Sequence, residues 1–206
     1  MAESRRLADA LKRVFDVVFA VAVAIPAVPV MLLEALAVAL DSEGPVLFAQ
    51  ERIGLHGRPF RIYKYRTMVL PEHRLDSDGK LKPDSQCLTR VGGFLRRTSL
   101  DELPQLWCIL RGDMSFVGPR PTLPFQVERY DEVQRRRLDV KPGITGLAQI
   151  RGRNRLSWEE KIAYDVEYVD THTFMGDVRI LAATVRVVLR GSDIEFVKHD
   201  RISRID

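Results

Sequence analysis

The sequence predicts a membrane-embedded α+β protein, mostly helical, in which an N-terminal segment with a re-entrant helix hairpin (residues 1–41) carries a small cytoplasmic domain (residues 42–206). Three observations lead there. An apolar run from Val14 to Leu40 is interrupted near its middle by Pro26 and Pro29. Basic residues flank it on both sides: Arg5, Arg6, Lys12 and Arg13 before it, then Arg52, Arg58, Arg61, Lys64 and Arg66 after it. The rest of the chain mixes short strand-like segments with helical ones.

The apolar run exceeds the roughly 20 residues that a spanning helix needs. Each proline removes a backbone donor and disfavours the helical ladder around it. Positive charge tends to stay cytoplasmic, so both flanks favour the same face of the membrane. A helix that enters, bends at the prolines and returns satisfies both. A cleaved signal peptide has a shorter apolar core and a small-residue cleavage site, which the Asp41-Ser-Glu-Gly-Pro45 segment does not offer. A buried soluble helix would be interrupted less and flanked by fewer like charges. The competing reading is a single span kinked at proline, which membrane helices tolerate. Asp16 and Glu34 weigh against it, because intramembrane carboxylates are costly; near the ends of a shallow hairpin they would sit at headgroup depth.

Beyond the anchor, Val46 and Phe48, then Phe60, Ile62, Tyr63 and Tyr65, read as two short strands joined through Gly54-Leu-His-Gly57. Pro71 to Gln86 is polar and reads as an exposed, mobile loop. Leu95, Leu100, Leu103, Leu106 and Leu110 recur at roughly helical spacing, interrupted by Pro104. Gly112 and Gly118-Pro-Arg-Pro121 then end this element in a rigid loop. Pro124 to Val140 predicts a polar helix containing Arg135-Arg136-Arg137, and Pro142-Gly143 with Gly146 predicts a tight turn. Ser157-Trp-Glu-Glu160 is a capping box that opens the next helix. A last helix, about Val178 to Leu189, carries Arg179, Arg186 and Arg190 beside valines and leucines. That composition suits an interfacial amphipathic helix; a core helix with a solvated face is the alternative.

Composition narrows the chemistry. A length of 206 residues allows one domain plus the anchor. The net charge of +4 is concentrated beside apolar segments, which suits an anionic membrane surface or a phosphate-bearing substrate. No stretch interleaves aromatics with basic residues as a nucleic-acid platform does, so no nucleic-acid partner is expected. Cys87 and Cys108 have neither metal-ligand spacing nor a disulfide framework; they read as free thiols, Cys108 buried within Leu106-Trp-Cys-Ile-Leu110. The four histidines form no metal-binding pair.

Three segments carry chemistry. In Arg96-Arg97-Thr98-Ser99-Leu100-Asp101-Glu102, two adjacent carboxylates stand in an apolar surrounding. Helical neighbours point about 100° apart, so they cannot share a proton as a facing dyad does, yet they can take different roles at one site. A helical first turn with acidic residues favouring the dipole is the structural alternative. The functional one is a metal-binding or nucleophilic carboxylate beside an acid/base neighbour, with Arg96 and Arg97 holding an anion nearby. In Gly118-Pro-Arg-Pro121, prolines on both sides fix the backbone of Arg120, which suits bidentate phosphate recognition. In Tyr63-Lys-Tyr-Arg-Thr-Met68, Lys64 offers a phosphate-binding point charge.

Taken together these segments resemble the bacterial sugar transferases, in the minimal form of the monotopic phosphoglycosyltransferases. The resemblance runs from about Lys12 to Thr184. It rests on Lys12-Arg-Val-Phe-Asp16, Gly44-Pro-Val-Leu-Phe48, Gln50-Glu-Arg-Ile-Gly54, Tyr63-Lys-Tyr-Arg-Thr-Met68 and Thr89-Arg-Val-Gly92. It continues through Ser99-Leu-Asp-Glu-Leu-Pro-Gln-Leu106, Gly112-Asp-Met-Ser115, Val117-Gly-Pro-Arg-Pro121, Pro142-Gly-Ile-Thr-Gly146 and Gly152-Arg-Asn154, in collinear order.

That resemblance implies transfer of a sugar 1-phosphate from a UDP-sugar to polyprenyl (undecaprenyl) phosphate, with release of UMP, at the start of bacterial glycan or exopolysaccharide assembly. It implies Asp101 as the nucleophile that forms an aspartyl-phosphosugar intermediate and as the Mg²⁺ ligand, with Glu102 as its partner. Lys64, Arg96 and Arg120 match the family's phosphate ligands. The implied setting is the bacterial inner membrane with the catalytic domain facing the cytoplasm, among membrane lipids, and compatible with a homodimer. Where the family carries Ser-Pro at its membrane break, this chain has Val28-Pro29, with Pro26 as a second break. The rival from another class is a catalytically silent, membrane-anchored homologue that binds nucleotide sugar or scaffolds glycan machinery.

Overall fold

The computed structural model describes residues 2–76, 78–152 and 155–189. Arg153, Asn154 and Arg190, singled out above, lie outside the described residues. Helix α1 (Ala2–Asp41) is one continuous helix with Pro26 and Pro29 inside it. No non-helical residue separates two arms, so a re-entrant course needs a bend within the helix at its prolines. Each proline removes a single ladder donor, and contacts near both ends of α1 hold the flanking turns in place.

Towards its N-terminal end, Lys12 pairs with Asp177 and donates to the carbonyl of Val117 at 3.2 Å. Arg13 donates to the carbonyls of Ile109 and Leu110 at 2.5 and 2.8 Å. Asp16 accepts from the Ser115 hydroxyl and the Phe116 amide at 3.1 and 3.2 Å. Near the other end, the Tyr65 hydroxyl donates to Met31 O at 2.7 Å, and Asp41 accepts from the Val91 amide at 2.9 Å. Arg66 donates to the carbonyls of Val38, Ser42 and Glu43, capping the helix end with a cation as the macrodipole favours.

One stripe of α1, including Asp16, Ala20, Glu34 and Val38, is buried against the body. Asp16 and Glu34 therefore face protein rather than lipid headgroups. The opposite face exposes Val18, Ile25, Leu32, Leu33, Leu36 and Leu40. Ala8–Asp41 is long and apolar enough to cross a membrane, and only 11% of its most apolar stretch is buried by protein. A face this apolar and this extensive is built for a non-aqueous neighbour.

The body begins with the expected hairpin: β1 (Leu47–Ile53) runs antiparallel to β2 (Pro59–Tyr65), with Leu47 opposite Tyr65 and Ile53 opposite Pro59. Among the described residues, the polar stretch after it holds short features: a 3-10 turn (Pro71–His73), a Leu75–Leu81 bridge and α2 (Asp84–Cys87). Helix α3 (Arg90–Thr98), a 3-10 turn (Leu100–Gln105) and α4 (Leu106–Arg111) follow. Strand β3 (Ser115–Val117) leads into the Arg120 loop.

The polar helix expected over Pro124–Val140 is instead broken into α5 (Pro124–Val127), α6 (Glu132–Arg135) and a 3-10 turn (Arg136–Leu138). Asp131 caps a new helix by accepting from the Gln134 amide at 2.8 Å, and Arg137 is drawn into the interior. The expected tight turn at Pro142–Gly146 is instead β4 (Gly143–Thr145), which pairs in parallel with β3. A Cβ at Gly143 would stand 2.2 Å from the Gly118 amide nitrogen, so the two backbones meet only because glycine is there.

Helices α7 (Leu147–Arg151), α8 (Trp158–Thr171) and α9 (Phe174–Leu189) complete the fold. The capping box forms as read: Ser157 Oγ accepts from the Glu160 amide at 3.1 Å, and Glu160 accepts from the Ser157 amide at 2.7 Å. Helix α9 buries Asp177 and Ile180 and exposes Phe174, Met175 and Val185. The main core joins Ala20 of α1 to Ile62, Leu106, Ile109, Phe116 and Tyr168, and both cysteines are free and buried.

Candidate active site

An open cleft of about 690 Å³ runs from the hairpin and the 3-10 turn to α7, α8 and α9. Its floor is set by short-range geometry. Thr89 caps α3 by accepting from the Gly92 amide at 2.9 Å. A Cβ at Gly92 would lie 2.1 Å from the carbonyl of Thr67, so α3 packs directly on the chain leaving β2. Ser99 adopts a left-handed conformation (φ 59°), stops α3 and redirects the chain into the 3-10 turn that carries Asp101 and Glu102.

The two carboxylates have divided surroundings. Glu102 Oε1 accepts from Lys64 Nζ at 2.5 Å and from Arg120 Nη2 at 2.6 Å. Burial pushes the Glu102 carboxyl up, but the attraction of Arg120 and Lys64 and their hydrogen bonds outweigh it and hold the group well below the usual carboxylate range. Asp101 is buried, and no hydrogen bond or ion pair with a described residue satisfies its carboxylate. Its pKa is raised to about 6, first by burial and then by Glu102, against the pull of Lys64, Arg120 and Arg96. One carboxylate is ionised and holds two cations through a single oxygen; its neighbour lines the cleft with no hydrogen bond from a described residue.

Lys64, Arg96, Asp101, Glu102 and Arg120, five residues picked out by sequence, line this one cleft. Arg96 is oriented by its Nε bond to the Thr67 hydroxyl at 2.9 Å. Arg97 is exposed and does not line the cleft; Pro26 and Pro29 lie on the exposed side of α1, away from it. Burial lowers the Lys64 pKa, and Arg120 lowers it further.

Sequence reasoning missed Arg52, Arg137 and Asp165, which also line the cleft. Arg137 pairs with buried Asp165, donates to the Tyr130 hydroxyl and lies 5.8 Å over the Trp158 ring. Burial raises the Asp165 pKa to about 6 in spite of Arg137. Arg52 was legible only as a flanking charge and Arg137 only as one of three arginines on a polar helix.

The donor set suits one hard cation in company with phosphate. Among the described residues no three His, Cys, Asp or Glu side chains cluster as a metal cage. Mg²⁺ does not need one, since it is commonly held by one or two carboxylates together with substrate phosphates and water. The unsatisfied Asp101 carboxylate fits that requirement.

Comparison with known proteins places the chain. The bacterial sugar transferase family model matches residues 7–191. The uncharacterized sugar transferase EpsL of Bacillus subtilis is 48% identical over 189 residues, covering 92% of each chain. The UDP-glucose:undecaprenyl-phosphate glucose-1-phosphate transferase of Caulobacter vibrioides is 42% identical over 88% of this chain and 70% of its own. The undecaprenyl-phosphate galactose phosphotransferase of Salmonella typhimurium is 40% identical over 91% of this chain but only 42% of its own length. With its membrane-compatible helix and its cleft of paired carboxylates and cations, this chain belongs to the bacterial sugar transferase family.

Proposed function

We propose that the protein transfers a sugar 1-phosphate from a UDP-sugar to polyprenyl (undecaprenyl) phosphate and releases UMP, at the cytoplasmic face of the bacterial inner membrane. The observation that carries this reading is the division of roles between Asp101 and Glu102. Relatives named for undecaprenyl-phosphate acceptors support the same reaction.

An Asp101 carboxylate oxygen attacks the sugar-bearing phosphorus of the donor. The bond from that phosphorus to the UMP oxygen breaks, and UMP leaves with the electron pair. A phosphate oxygen of the polyprenyl acceptor then attacks the same phosphorus, and the Asp101 carboxylate is regenerated as the leaving group. Burial leaves Asp101 poorly solvated and hence reactive. Lys64, Arg96 and Arg120 balance phosphate charge, and Glu102 holds Lys64 and Arg120 in place. Mg²⁺ held by Asp101 and donor phosphate oxygens would supply further charge neutralisation, as phosphoryl transfer generally requires. One covalent stop lets a soluble donor and a lipid acceptor use one small site in turn.

The same reading makes α1 re-entrant. Polar ties near both of its ends reach one body, whereas a span would carry one end across a hydrocarbon core of about 30 Å. Tags at the N-terminus and after Arg66 should both be reached only from the cytoplasmic side of intact vesicles. Labelling of the N-terminus from outside alone would establish a span.

The reaction is tested by supplying a panel of UDP-sugars with undecaprenyl phosphate to the full chain in nanodiscs. UMP is the expected product. UDP would show transfer of the sugar alone, and donor binding with neither product would show a silent homologue.

A further inference from the structure

The loop that carries Arg120 is held in an unusual way. Pro119 and Pro121 have no amide hydrogen, so the loop can be fixed mainly through its carbonyls. Four consecutive carbonyls are all engaged. Pro119 O accepts from the Gly143 amide at 2.9 Å and Thr122 O from the Ile53 amide at 2.9 Å. The two between them are taken by guanidinium groups: Arg120 O by Arg137 Nη2 at 3.1 Å, and Pro121 O by Arg52 Nη1 at 3.3 Å.

Each guanidinium is oriented from behind. Arg52 donates its other terminal nitrogen to Gln50 Oε1 at 2.6 Å. Arg137 is held by Asp165, the Tyr130 hydroxyl and the Tyr130 and Trp158 rings. Two chains of contact, Gln50–Arg52–Pro121 and Asp165–Arg137–Arg120, thus converge on the backbone at Arg120. A planar guanidinium presents its donors at fixed angles to an anchor and a carbonyl together, whereas the three donors of a lysine ammonium rotate on a flexible stem and fix the geometry less well.

We infer that Arg52 and Arg137 are positioning residues that act through Arg120, clamping its loop so that the guanidinium of Arg120 meets the donor phosphate in one geometry. This rests on the proposed role of Arg120 at phosphate. Small misplacement of such a group is expensive, since a shift of about 1 Å can lower a rate on the order of 100-fold.

A double-mutant cycle on the full chain in nanodiscs tests it. Arg52→Gln should lower kcat/KM for the UDP-sugar about 10- to 100-fold in the wild-type background. In an Arg120→Ala background the same change should alter it by less than about twofold, because the group being positioned is gone. A merely structural role, or direct contact of Arg52 with substrate, would give losses that multiply, and would overturn the inference. So would full activity of Arg52→Gln. If Arg120→Ala alone is fully active, the assignment of Arg120 to phosphate fails instead, which separates the two claims.

A second readout needs no turnover. Amide hydrogen exchange across residues 118–123 should quicken in Arg52→Gln while the rest of the chain keeps its protection; unchanged exchange there would refute the clamp. Where the glutamine variant melts early, Arg52→Lys keeps the charge and the buried stem, and the same pattern is expected of it.

Discussion

The floor and the rim of the cleft are built on opposite terms. On the floor, Asp101 is a buried carboxylate with no hydrogen bond from a described residue, and its pKa is raised to about 6. Beside it Glu102 takes two cations, and on the rim the carbonyls from Pro119 to Thr122 are all engaged. The group proposed to react is left wanting a partner; the groups that hold geometry are each tied by at least two polar contacts, through Oε1 of Glu102 and through the terminal nitrogens of Arg52 and Arg137. Burying an unpaired charge is costly, so an unsatisfied Asp101 beside satisfied neighbours is a local sacrifice of stability at the point where bonds are to change.

The largest effect should come from removing that sacrifice. Asp101→Asn should lower turnover by at least about 1000-fold, because an amide is nearly isosteric but a poor nucleophile. Covalent capture of a phosphosugar on the wild type, absent from the variant, is the direct observation. The same variant should be more stable at neutral pH. A carboxyl whose folded pKa lies above its unfolded one binds protons more tightly when folded, so the wild type loses stability as pH rises from about 4 through about 6. Asparagine escapes that loss, which is at most about 3 kcal/mol for a shift of this size. Chemical denaturation at pH 7.5 and pH 4 should show the gain at the higher pH and its disappearance at the lower. A variant less stable than wild type at pH 7.5 would mean that Asp101 is satisfied by something else.

On the rim the expected effect is smaller. Arg120→Lys keeps the charge but loses the planar two-point contact, and kcat/KM should fall about 10- to 100-fold. Lysine at 120 working as well as arginine would reduce Arg120 to a charge in a turn, and the contrast between floor and rim would lose its functional meaning.

Much of this site was legible in the sequence, for identifiable reasons. Asp101 and Glu102 stood out as adjacent carboxylates in an apolar segment and Arg120 as a cation fixed between prolines, whereas Lys64 and Arg96 were picked out mainly by the family resemblance. The β1–β2 hairpin and the Ser157 cap were legible because their signals are local. The pairing of β3 with β4 was not, since it joins segments 28 residues apart and rests on glycines that resemble turn residues. Arg137 was hidden for a related reason: its burial is decided by Asp165, Tyr130 and Trp158, all distant in the chain or carried on other elements. The prolines of α1 signalled a break, yet the helix continues through them, because contacts from Lys12 to Asp41 on the body outweigh two lost ladder bonds.

Helix α1 repeats the contrast on a smaller scale and gives the mildest test. Asp16 and Glu34 both turn towards the body and are both buried, but Asp16 accepts two hydrogen bonds while neither Glu34 oxygen has a partner among the described residues. If satisfaction marks a holding role, neutralising the two should move stability in opposite directions. Asp16→Asn keeps one acceptor but weakens bonds that an ionised carboxylate makes more strongly, and should cost about 1 kcal/mol. Glu34→Gln removes a buried charge that nothing compensates and should gain about 1 kcal/mol, less the expense of burying an unpaired amide. Asp16 does not line the cleft, so UMP release of Asp16→Asn should stay within about twofold of wild type, whereas Glu34 feels the charge of Asp101, so Glu34→Gln should ease ionisation of Asp101 as well. Thermal melts of the two variants in the same nanodiscs give the comparison directly. A loss of stability in Glu34→Gln as large as that in Asp16→Asn would show that Glu34 also holds the fold, and that an unpartnered carboxylate is no guide to where this protein sets stability aside.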